Sequence, residues 1–322
     1  MIGVLQPPSP YVLTFGETMA LMRADQPGPL AHASTMTLGI GGSESNVAVG
    51  LRRLGISTVW CGRIGNDALG QLVEREIRAE GVDTRVTVDD TAPTGLMIKE
   101  RRTSASQRVT YYRTGSAGSR MSPEDLDAQL ISSASLLHVS GITPALSAQA
   151  ESTLLHAIDV ARSAGVPVSF DLNYRGTLWS REAAGGVYRD IISQADIVFA
   201  GDDEASIAVG GGSDPEELAR RIVALGPREA VIKLGAKGAL ALVEGELFRQ
   251  SAVSVEVVDT VGAGDAFVAG YLAEFVAGLG PAERLRTAVA TGAFACMVLG
   301  DWEGLPRRSE LRLLESKEPV LR

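Results

Sequence analysis

The sequence predicts an α/β fold built on a mostly parallel sheet, and two features of its hydrophobic pattern indicate this. Short apolar runs that suit buried strands alternate with amphipathic stretches that suit helices along most of the 322 residues. Glycine follows several of the helical stretches, where a left-handed C-terminal cap is expected. Such alternation is typical of parallel strands joined by crossover helices, so we expect a doubly wound sheet.

The predicted elements follow one another in a regular order. The predicted strands are 11–15, 58–61, 136–140, 166–171, 197–200 and 230–234. The predicted helices are 46–54, 69–80, 148–164, 181–194, 216–225, 265–277 and 282–299. No internal repeat or low-complexity linker divides the chain, so we predict one domain over residues 1–322.

Two segments, 17–40 and 92–117, interrupt this order. Within the second, β-friendly residues flank a polar turn at 104–107, which predicts a hairpin. Residues 17–38 directly follow the first strand and lack helical periodicity. We expect both segments to leave the main sheet and form a small β-sheet lid. The alternative is two surface loops without a role, although long insertions often have one.

Composition excludes several classes of protein. The formal net charge is −9 and no run of Lys and Arg is present, so no nucleic-acid partner is expected. Cys61 and Cys296 are too few for a disulfide framework. No apolar run approaches the ~18 residues of a membrane span. The first ten residues lack a cationic region, so we expect no secretory signal and a cytoplasmic protein.

The segment Asp259–Phe267, DTVGAGDAF, carries the sharpest chemical signal. The β-branched run 253–258 enters a loop containing Gly262 and Gly264, and an apolar helix follows. Glycines allow close approach of a ligand, and the free N–H groups at a helix start attract phosphate. Asp265, in the first helical turn, could take a proton from an attacking alcohol. The alternative is an ordinary helix start with Asp265 favouring the dipole.

Other active-site motifs are missing from the sequence. There is no P-loop string, no completed G-x-G-x-x-G, no protein-kinase H-R-D or D-F-G, and no G-x-S-x-G or H-E-x-x-H. His32, His138 and His156 lack the spacing of zinc ligands.

Asp259–Phe267 resembles the C-terminal motif of the ribokinase-like (PfkB) carbohydrate kinases. The N-terminal motif is present as well, in the strings Gly41–Ala48 (GGSESNVA), Leu51–Gly55 (LRRLG) and Gly65–Gly70 (GNDALG). The two motifs stand in the family's order and span nearly the whole chain. The resemblance implies a three-layer α/β/α fold with a β lid that closes over the sugar.

The resemblance also implies roles for individual residues. Gly262, Ala263 and Gly264 would form the anion hole, with Asp265 as catalytic base. Nucleotide-binding positions would be Asn173, Glu204, Lys233, Gly235, Lys237, Gly238, Gly262 and Gly264. Glu204 would organise Mg²⁺, although Gly201 stands where the family motif has Asn. ATP and Mg²⁺ are the implied cofactors, and a monovalent cation near Asp259 is a further option.

Two arginines indicate the acceptor. Tyr111 and Arg113 are two apart in a predicted strand and would face the same side, and Arg175 follows the strand ending at Asp171. If both arginines face the cleft, they would suit a carboxylate; each alone is more often a surface residue. Phe170–Trp179, Tyr111–Ala117 and Gly300–Gly304 resemble the family's 2-keto-3-deoxygluconate kinases. Carried over by position, the sugar-contacting residues would be Gly41, Gly42, Asn46, Met97, Tyr111, Arg113, Arg175, Asp265 and Asp301. Met97 stands where that subfamily often has Tyr.

Alternatives stay open at this stage. The acceptor could be a neutral sugar such as fructose or ribose, or a related keto-deoxy acid. A sugar or nucleotide sensor on the same fold has no use for a base aimed at a hydroxyl. A dinucleotide-dependent oxidoreductase lacks its glycine motif near the first strand. A homodimer or higher homo-oligomer through the lid is expected because a small two-sided sheet rarely stands uncovered.

Overall fold

The computed structural model describes residues 10–103, 106–212 and 214–314. The first two residues of the predicted lid turn at 104–107, 104 and 105, lie outside these ranges. The strands, in chain order, are β1 Tyr11–Phe15, β2 Met19–Ala24, β3 Met36–Gly41, β4 Ser57–Gly65, β5 Asp83–Asp89, β6 Leu96–Thr103, β7 Ser106–Tyr112, β8 Leu136–Ser140, β9 Val168–Asp171, β10 Ile197–Gly201, β11 Glu229–Lys233, β12 Ala239–Val243 and β13 Glu246–Gln250. The α-helices are α1 Ser43–Arg53, α2 Ala68–Ala79, α3 Ala128–Ser132, α4 Ala148–Ser163, α5 Arg181–Ile192, α6 Asp202–Val209, α7 Pro215–Val223, α8 Ala263–Val276 and α9 Pro281–Cys296.

The large sheet is mostly parallel, as predicted. Its order within the described residues is β13-β12-β11-β10-β9-β8-β1-β4-β5. Neighbouring strands along the stretch β11-β10-β9-β8-β1-β4-β5 pair in parallel, and only β12 and β13 at one edge are antiparallel. β1, β8 and β9 are buried along their whole length, because helices cover both faces of the sheet.

Two apolar cores lie on opposite faces of this sheet and complete the three layers. One core includes α4, α5 and α7 residues such as Leu154 and Ile222. The other includes α1, α8 and α9 residues such as Leu51 and Leu272. α8 is apolar around its circumference because neighbouring elements enclose it, and ten of its residues are buried. The doubly wound prediction is confirmed.

A second sheet of four strands, ordered β3-β2-β6-β7, forms the predicted β lid. β2 and β3 come from the first irregular segment, and β6 and β7 form the predicted hairpin. β2 pairs with β6 in parallel and joins the two segments into one sheet. Its inner face packs Met19, Leu21 and Met97 into a small apolar cluster.

The sequence analysis missed some elements. β5, β12 and β13 were not predicted, because β5 is half exposed and the β12–β13 hairpin stands outside the strand–helix alternation. The β-branched run 253–258 forms no strand, and its Val257 and Val258 are exposed. Among the described helices, none is both long enough and apolar enough to cross a bilayer.

Candidate active site

The loop before α8 has a backbone shape that requires glycine at one position. Gly262 is the N-cap of α8 and has φ +76°, a left-handed conformation. A Cβ built on Gly262 would lie 1.8 Å from the carbonyl oxygen of Asp301. Both strain and collision therefore exclude other residues. The loop brings the first N–H groups of a 14-residue helix to one point, where an anion is favoured.

Asp265 lies on the first turn of α8, but its side chain does not cap that helix. Its Oδ1 accepts a hydrogen bond from Ser43 Oγ and its Oδ2 accepts one from Asn46 Nδ2, both at 2.8 Å. Ser43 in turn accepts from Asn173 Nδ2 at 2.7 Å, which links the end of β9 to this site. The alternative of a helix start serving only the dipole does not explain two donors brought from a different helix.

The environment of Asp265 favours its protonated form more than water would. Burial raises the pKa of this carboxyl above its ordinary value. The hydrogen bonds from Asn46 and Ser43 act in the opposite direction, as do the positive charges of Arg175 and Lys233. A carboxyl whose pKa moves toward neutrality is a better proton acceptor.

One cavity lies between the lid and the loop before α8. All nine residues predicted to contact the sugar line it, namely Gly41, Gly42, Asn46, Met97, Tyr111, Arg113, Arg175, Asp265 and Asp301. Gly262 also lines the cavity. Tyr111 and Arg113 thus face the same side, with the guanidinium 5.7 Å from the ring centre. Their contacts with a sugar stay predictions.

The two arginines at this cavity differ in their state. Arg113 is buried, and its Nε donates to Glu17 Oε2 at 2.8 Å. Glu17 is itself buried and also accepts from Ser116 Oγ. Arg175 is exposed, and its guanidinium makes no hydrogen bond or ion pair within the described ranges. Of the two arginines, Arg175 is therefore the one whose guanidinium donors are all unused among the described residues.

Asp301 closes the cavity beside a buried lysine. Lys99 Nζ lies 2.7 Å from Asp259 Oδ2 and 3.7 Å from Asp301 Oδ1. Burial raises the pKa of Asp301 to about 6, although the Lys99 charge acts to lower it. Gly41 faces Asp301 and Met97 so closely that a Cβ there would lie 2.3 Å from each.

The predicted nucleotide side lies at the carboxyl ends of β9, β10 and β11. Lys233 Nζ is 2.7 Å from Asp171 Oδ1, and a Cβ on Gly264 would lie 3.8 Å from the same nitrogen. Burial acts to lower the pKa of Lys233, but the carboxylate of Asp171 raises it overall, so the lysine stays charged.

The turn after β11 and Glu204 stand beside this lysine. The turn contains Gly235, the exposed Lys237 and Gly238. A Cβ on Gly238 would lie 2.0 Å from the Gln250 carbonyl oxygen. Glu204 accepts from the backbone N–H groups of Tyr174 and Gly201 at 3.0 and 2.7 Å. In the described chain, no group of three or more His, Cys, Asp or Glu residues could hold a metal.

The sequence analysis missed several residues of the cavity. The additional lining residues are Glu17, Met19, Ser43, Glu44, Lys99, Val109, Ile142, Thr177 and Val261. Glu44 accepts from Thr143 Oγ1 at 2.8 Å, and its other oxygen is buried without a partner. Burial raises the pKa of Glu44 to about 7. Ser43 and Glu44 lie inside the string GGSESN, close to the predicted sugar contact Asn46, so the sequence could have indicated that they line the cavity. No feature of the sequence around Lys99 or Glu17 indicated this.

A parallel sheet with a glycine loop at a helix start, and a β lid over an adjoining polar cavity, is an arrangement suited to phosphoryl transfer to a small molecule. Comparison with known proteins assigns the family. Residues 9–308 match the model of the pfkB family carbohydrate kinases. The chain belongs to this family and is a carbohydrate kinase.

Individual relatives agree with the family assignment. A 2-dehydro-3-deoxygluconokinase of Bacillus subtilis (strain 168) is 37% identical over 303 residues, 93% of each chain. Another of that name, from Thermoproteus tenax, is 36% identical over 304 residues, 93% of this chain and 92% of its own. The crystal structure of a PfkB protein from Polaromonas sp. JS666 superposes with a TM-score of 0.86 at 38% identity. It covers 94% of this chain and 99% of its own.

Proposed function

We propose that this protein transfers the γ-phosphate of ATP to the 6-hydroxyl of 2-keto-3-deoxygluconate. The observation that carries the proposal is Asp265, held by Ser43 and Asn46 between the start of α8 and the lid cavity. A buried carboxylate beside an anion loop is suited to accept a proton from an alcohol that attacks a phosphate. The names of the two relatives support the choice of acceptor.

In the proposed reaction, Asp265 acts as the general base. The hydroxyl oxygen of the sugar attacks the γ-phosphorus while its proton passes to the Asp265 carboxylate, and ADP leaves with the bridging oxygen. The N–H groups after Gly262 stabilise the charge on the transferred phosphoryl group. Ser43 and Asn46 orient the carboxylate, so that little rearrangement is needed during the reaction.

The nucleotide would lie along the edge formed by β9, β10 and β11. Lys233 offers a permanent cation next to Gly264, and the turn 235–238 offers backbone groups. Mg²⁺ bound to ATP keeps several waters and needs few protein ligands. Glu204, whose oxygens are oriented by two backbone N–H groups, would hold it. The ion would neutralise charge on the phosphates.

The acceptor carboxylate would bind at Arg175, whose donors are unused and which lines the cavity. Arg113 contributes its remaining donors and its charge, although Glu17 offsets that charge. Tyr111 and Asp301 would bind hydroxyl groups. Met97 offers no hydroxyl where the subfamily often has Tyr, so a related keto-deoxy acid stays the second acceptor to test.

The experiment that tests the proposal is ADP release with Mg-ATP and a panel of acceptors: 2-keto-3-deoxygluconate, the related 2-keto-3-deoxygalactonate, gluconate, fructose, ribose and adenosine. We expect kcat/KM for 2-keto-3-deoxygluconate to exceed that for every other acceptor by about 100-fold or more. Preference for a neutral sugar would keep the kinase and discard the carboxylate site. No turnover of any acceptor would contradict the proposed acceptor and favour an acceptor outside the panel or the sensor.

The lid is also the proposed contact between subunits. Leu38 on β3 and Tyr112 on β7 are exposed large apolar side chains of this sheet. A second copy packing on the lid would cover them. Light scattering measures the expected dimer mass, and a monomer at micromolar concentration would contradict it.

A further inference from the structure

Lys99 is a lysine in an unusual position. It lies on lid strand β6 and is 1% exposed, which makes it one of the largest fully buried side chains of the chain. Burying an ammonium group is costly unless charged partners surround it. Asp259 and Asp301 are those partners, at 2.7 and 3.7 Å. A lysine on a lid strand is thus paired with two carboxylates of the main domain.

The two carboxylates belong to the segments that shape the loop before α8. Asp259 Oδ1 accepts from Val261 N at 3.1 Å, and the N–H of Gly300 approaches Asp259 Oδ2 at 3.5 Å. The Asp301 carbonyl lies against Gly262, where no Cβ fits. Lys99 therefore holds together the two chain segments whose contact sets the position of Gly262.

Charge explains why a cation is needed here. Asp259, Asp265 and Asp301 are all buried, and the charges of Asp259 and Asp265 both act to raise the pKa of Asp301. Without a positive charge, three neighbouring carboxylates would repel each other and an incoming phosphate. The Lys99 ammonium, with its three donors, meets this need from within the chain.

We propose that Lys99 is a positioning residue that supplies, from the lid, the cation required at Asp259 and Asp301, so that turnover needs no added monovalent cation. This differs from the expectation of a bound monovalent cation near Asp259, because the ammonium already occupies one oxygen of that carboxylate. It also makes the position of the loop before α8, called the anion loop below, depend on how β6 packs against the main domain. The inference rests on the proposed role of the loop as the phosphate site.

The first test uses the unmodified enzyme. Turnover of whichever acceptor in the panel reacts is measured in KCl, NaCl and choline chloride at constant ionic strength. Thermal unfolding is followed in the same salts and does not depend on the identity of the acceptor. We expect rates equal within about twofold and coincident melting curves. Strong activation by K⁺, or selective stabilisation by K⁺, would overturn the proposal even if the acceptor is correctly identified.

The second test uses Lys99→Ala, with Arg102→Ala as control. Arg102 is on the same strand, is exposed, and loses the same charge. We expect Lys99→Ala to lower kcat on the order of 10²-fold through misplacement of the loop. Addition of K⁺ or ammonium, but not choline, should restore much of this loss, which a purely structural role would not produce.

The outcomes separate clearly. Full activity of Lys99→Ala, or a loss that no cation restores in a folded variant, would contradict the proposal. If Lys99→Ala does not fold, the cation dependence of the unmodified enzyme decides the question alone. Absence of turnover with every acceptor would contradict the proposed function. The melting curves in KCl and choline chloride would still test whether Lys99 replaces a bound monovalent cation.

Discussion

The anion loop and the lid meet at the same cavity but are built in different ways. The loop depends on backbone shape: Gly262 has φ +76° and touches the Asp301 carbonyl, and the following helix directs its N–H groups inward. The lid side depends on side-chain pairs distant in sequence. Arg113 pairs with Glu17, 96 residues away, and Lys99 pairs with Asp259, 160 residues away. The backbone shape of the loop is thus encoded locally, whereas the charge pairs at the lid side of the cavity join distant parts of the chain.

The largest effect is expected where the loop supplies the proposed base. Asp265→Asn should lower kcat by about 10²- to 10⁴-fold, because the amide cannot accept the proton. ATP binding, measured by calorimetry, should change little. Asp202→Asn, an exposed carboxylate on the first turn of α6, is the matched control and should keep full activity. Near-normal turnover of Asp265→Asn would show that Asp265 is not the general base.

The next effect concerns acceptor selection at Arg175, which follows β9 and faces the lid across the cavity. Arg175→Gln should lower kcat/KM for 2-keto-3-deoxygluconate by about 10- to 100-fold, the range for a hydrogen bond to a charged group. Turnover of a neutral sugar such as fructose should change less than about twofold, because it has no carboxylate for Arg175 to bind.

Arg175 gives a cleaner test than Arg113, since removing Arg113 would leave Glu17 buried without its cation. Arg181→Gln, an exposed arginine nearby in sequence, is the control. Equal losses with acid and neutral acceptors would show that no carboxylate binds at Arg175.

A third prediction separates backbone strain from collision in the anion loop. Gly165 and Gly262 have similar φ values of +73° and +76°, but a Cβ on Gly165 would meet nothing within 4 Å. Gly165→Ala should cost about 1 kcal/mol of unfolding free energy from strain alone. Gly262→Ala should cost about 2 kcal/mol more, because the methyl group meets a backbone carbonyl. Urea unfolding measures the free energy of unfolding of both variants. Equal losses would show that the Asp301 carbonyl moves away from the new methyl group with little loss of stability.

The smallest effect is a pH dependence at Glu44, on the helix that serves both regions. Its pKa is about 7 in the folded protein against an ordinary 4.5, so the folded state keeps a proton that the unfolded chain releases. Stability from this group therefore falls as pH rises from about 4.5 to 7 and then levels off.

Glu44→Gln should reduce the loss of unfolding free energy between pH 5 and pH 8 by on the order of 2 kcal/mol. Gln can still accept the hydrogen bond from Thr143. Glu256→Gln, at an exposed position, is the control and should leave the pH dependence unchanged. A Glu44→Gln profile parallel to that of the unmodified protein would mean that the carboxyl is not protonated.

The difference between the two regions also explains what the sequence could predict. The strand and helix order followed from local periodicity, and the glycine spacing at 262–264 marked the loop. The lid hairpin β6–β7 could be predicted because its turn and flanking strands are adjacent in the sequence. Hairpin β12–β13 was missed because its strands depart from the alternation. The β-branched run 253–258, which was predicted only to lead into the loop, forms no strand.

Side-chain partners could not be read in the same way. Nothing near Lys99 in the sequence shows that its ammonium reaches Asp259, and nothing near Arg113 shows that Glu17 neutralises part of its charge. Such pairs depend on how β2 and β6 come together in the lid. Local strings therefore predicted which residues line the cavity better than they predicted which of them are free to bind.

The most direct test of the proposed reaction is phosphorus NMR of the product formed from Mg-ATP and 2-keto-3-deoxygluconate. We predict a single new phosphomonoester signal, coupled to the methylene protons of C6, that grows in step with ADP. A signal coupled to another position, or only inorganic phosphate and ADP, would contradict transfer to the 6-hydroxyl by this site.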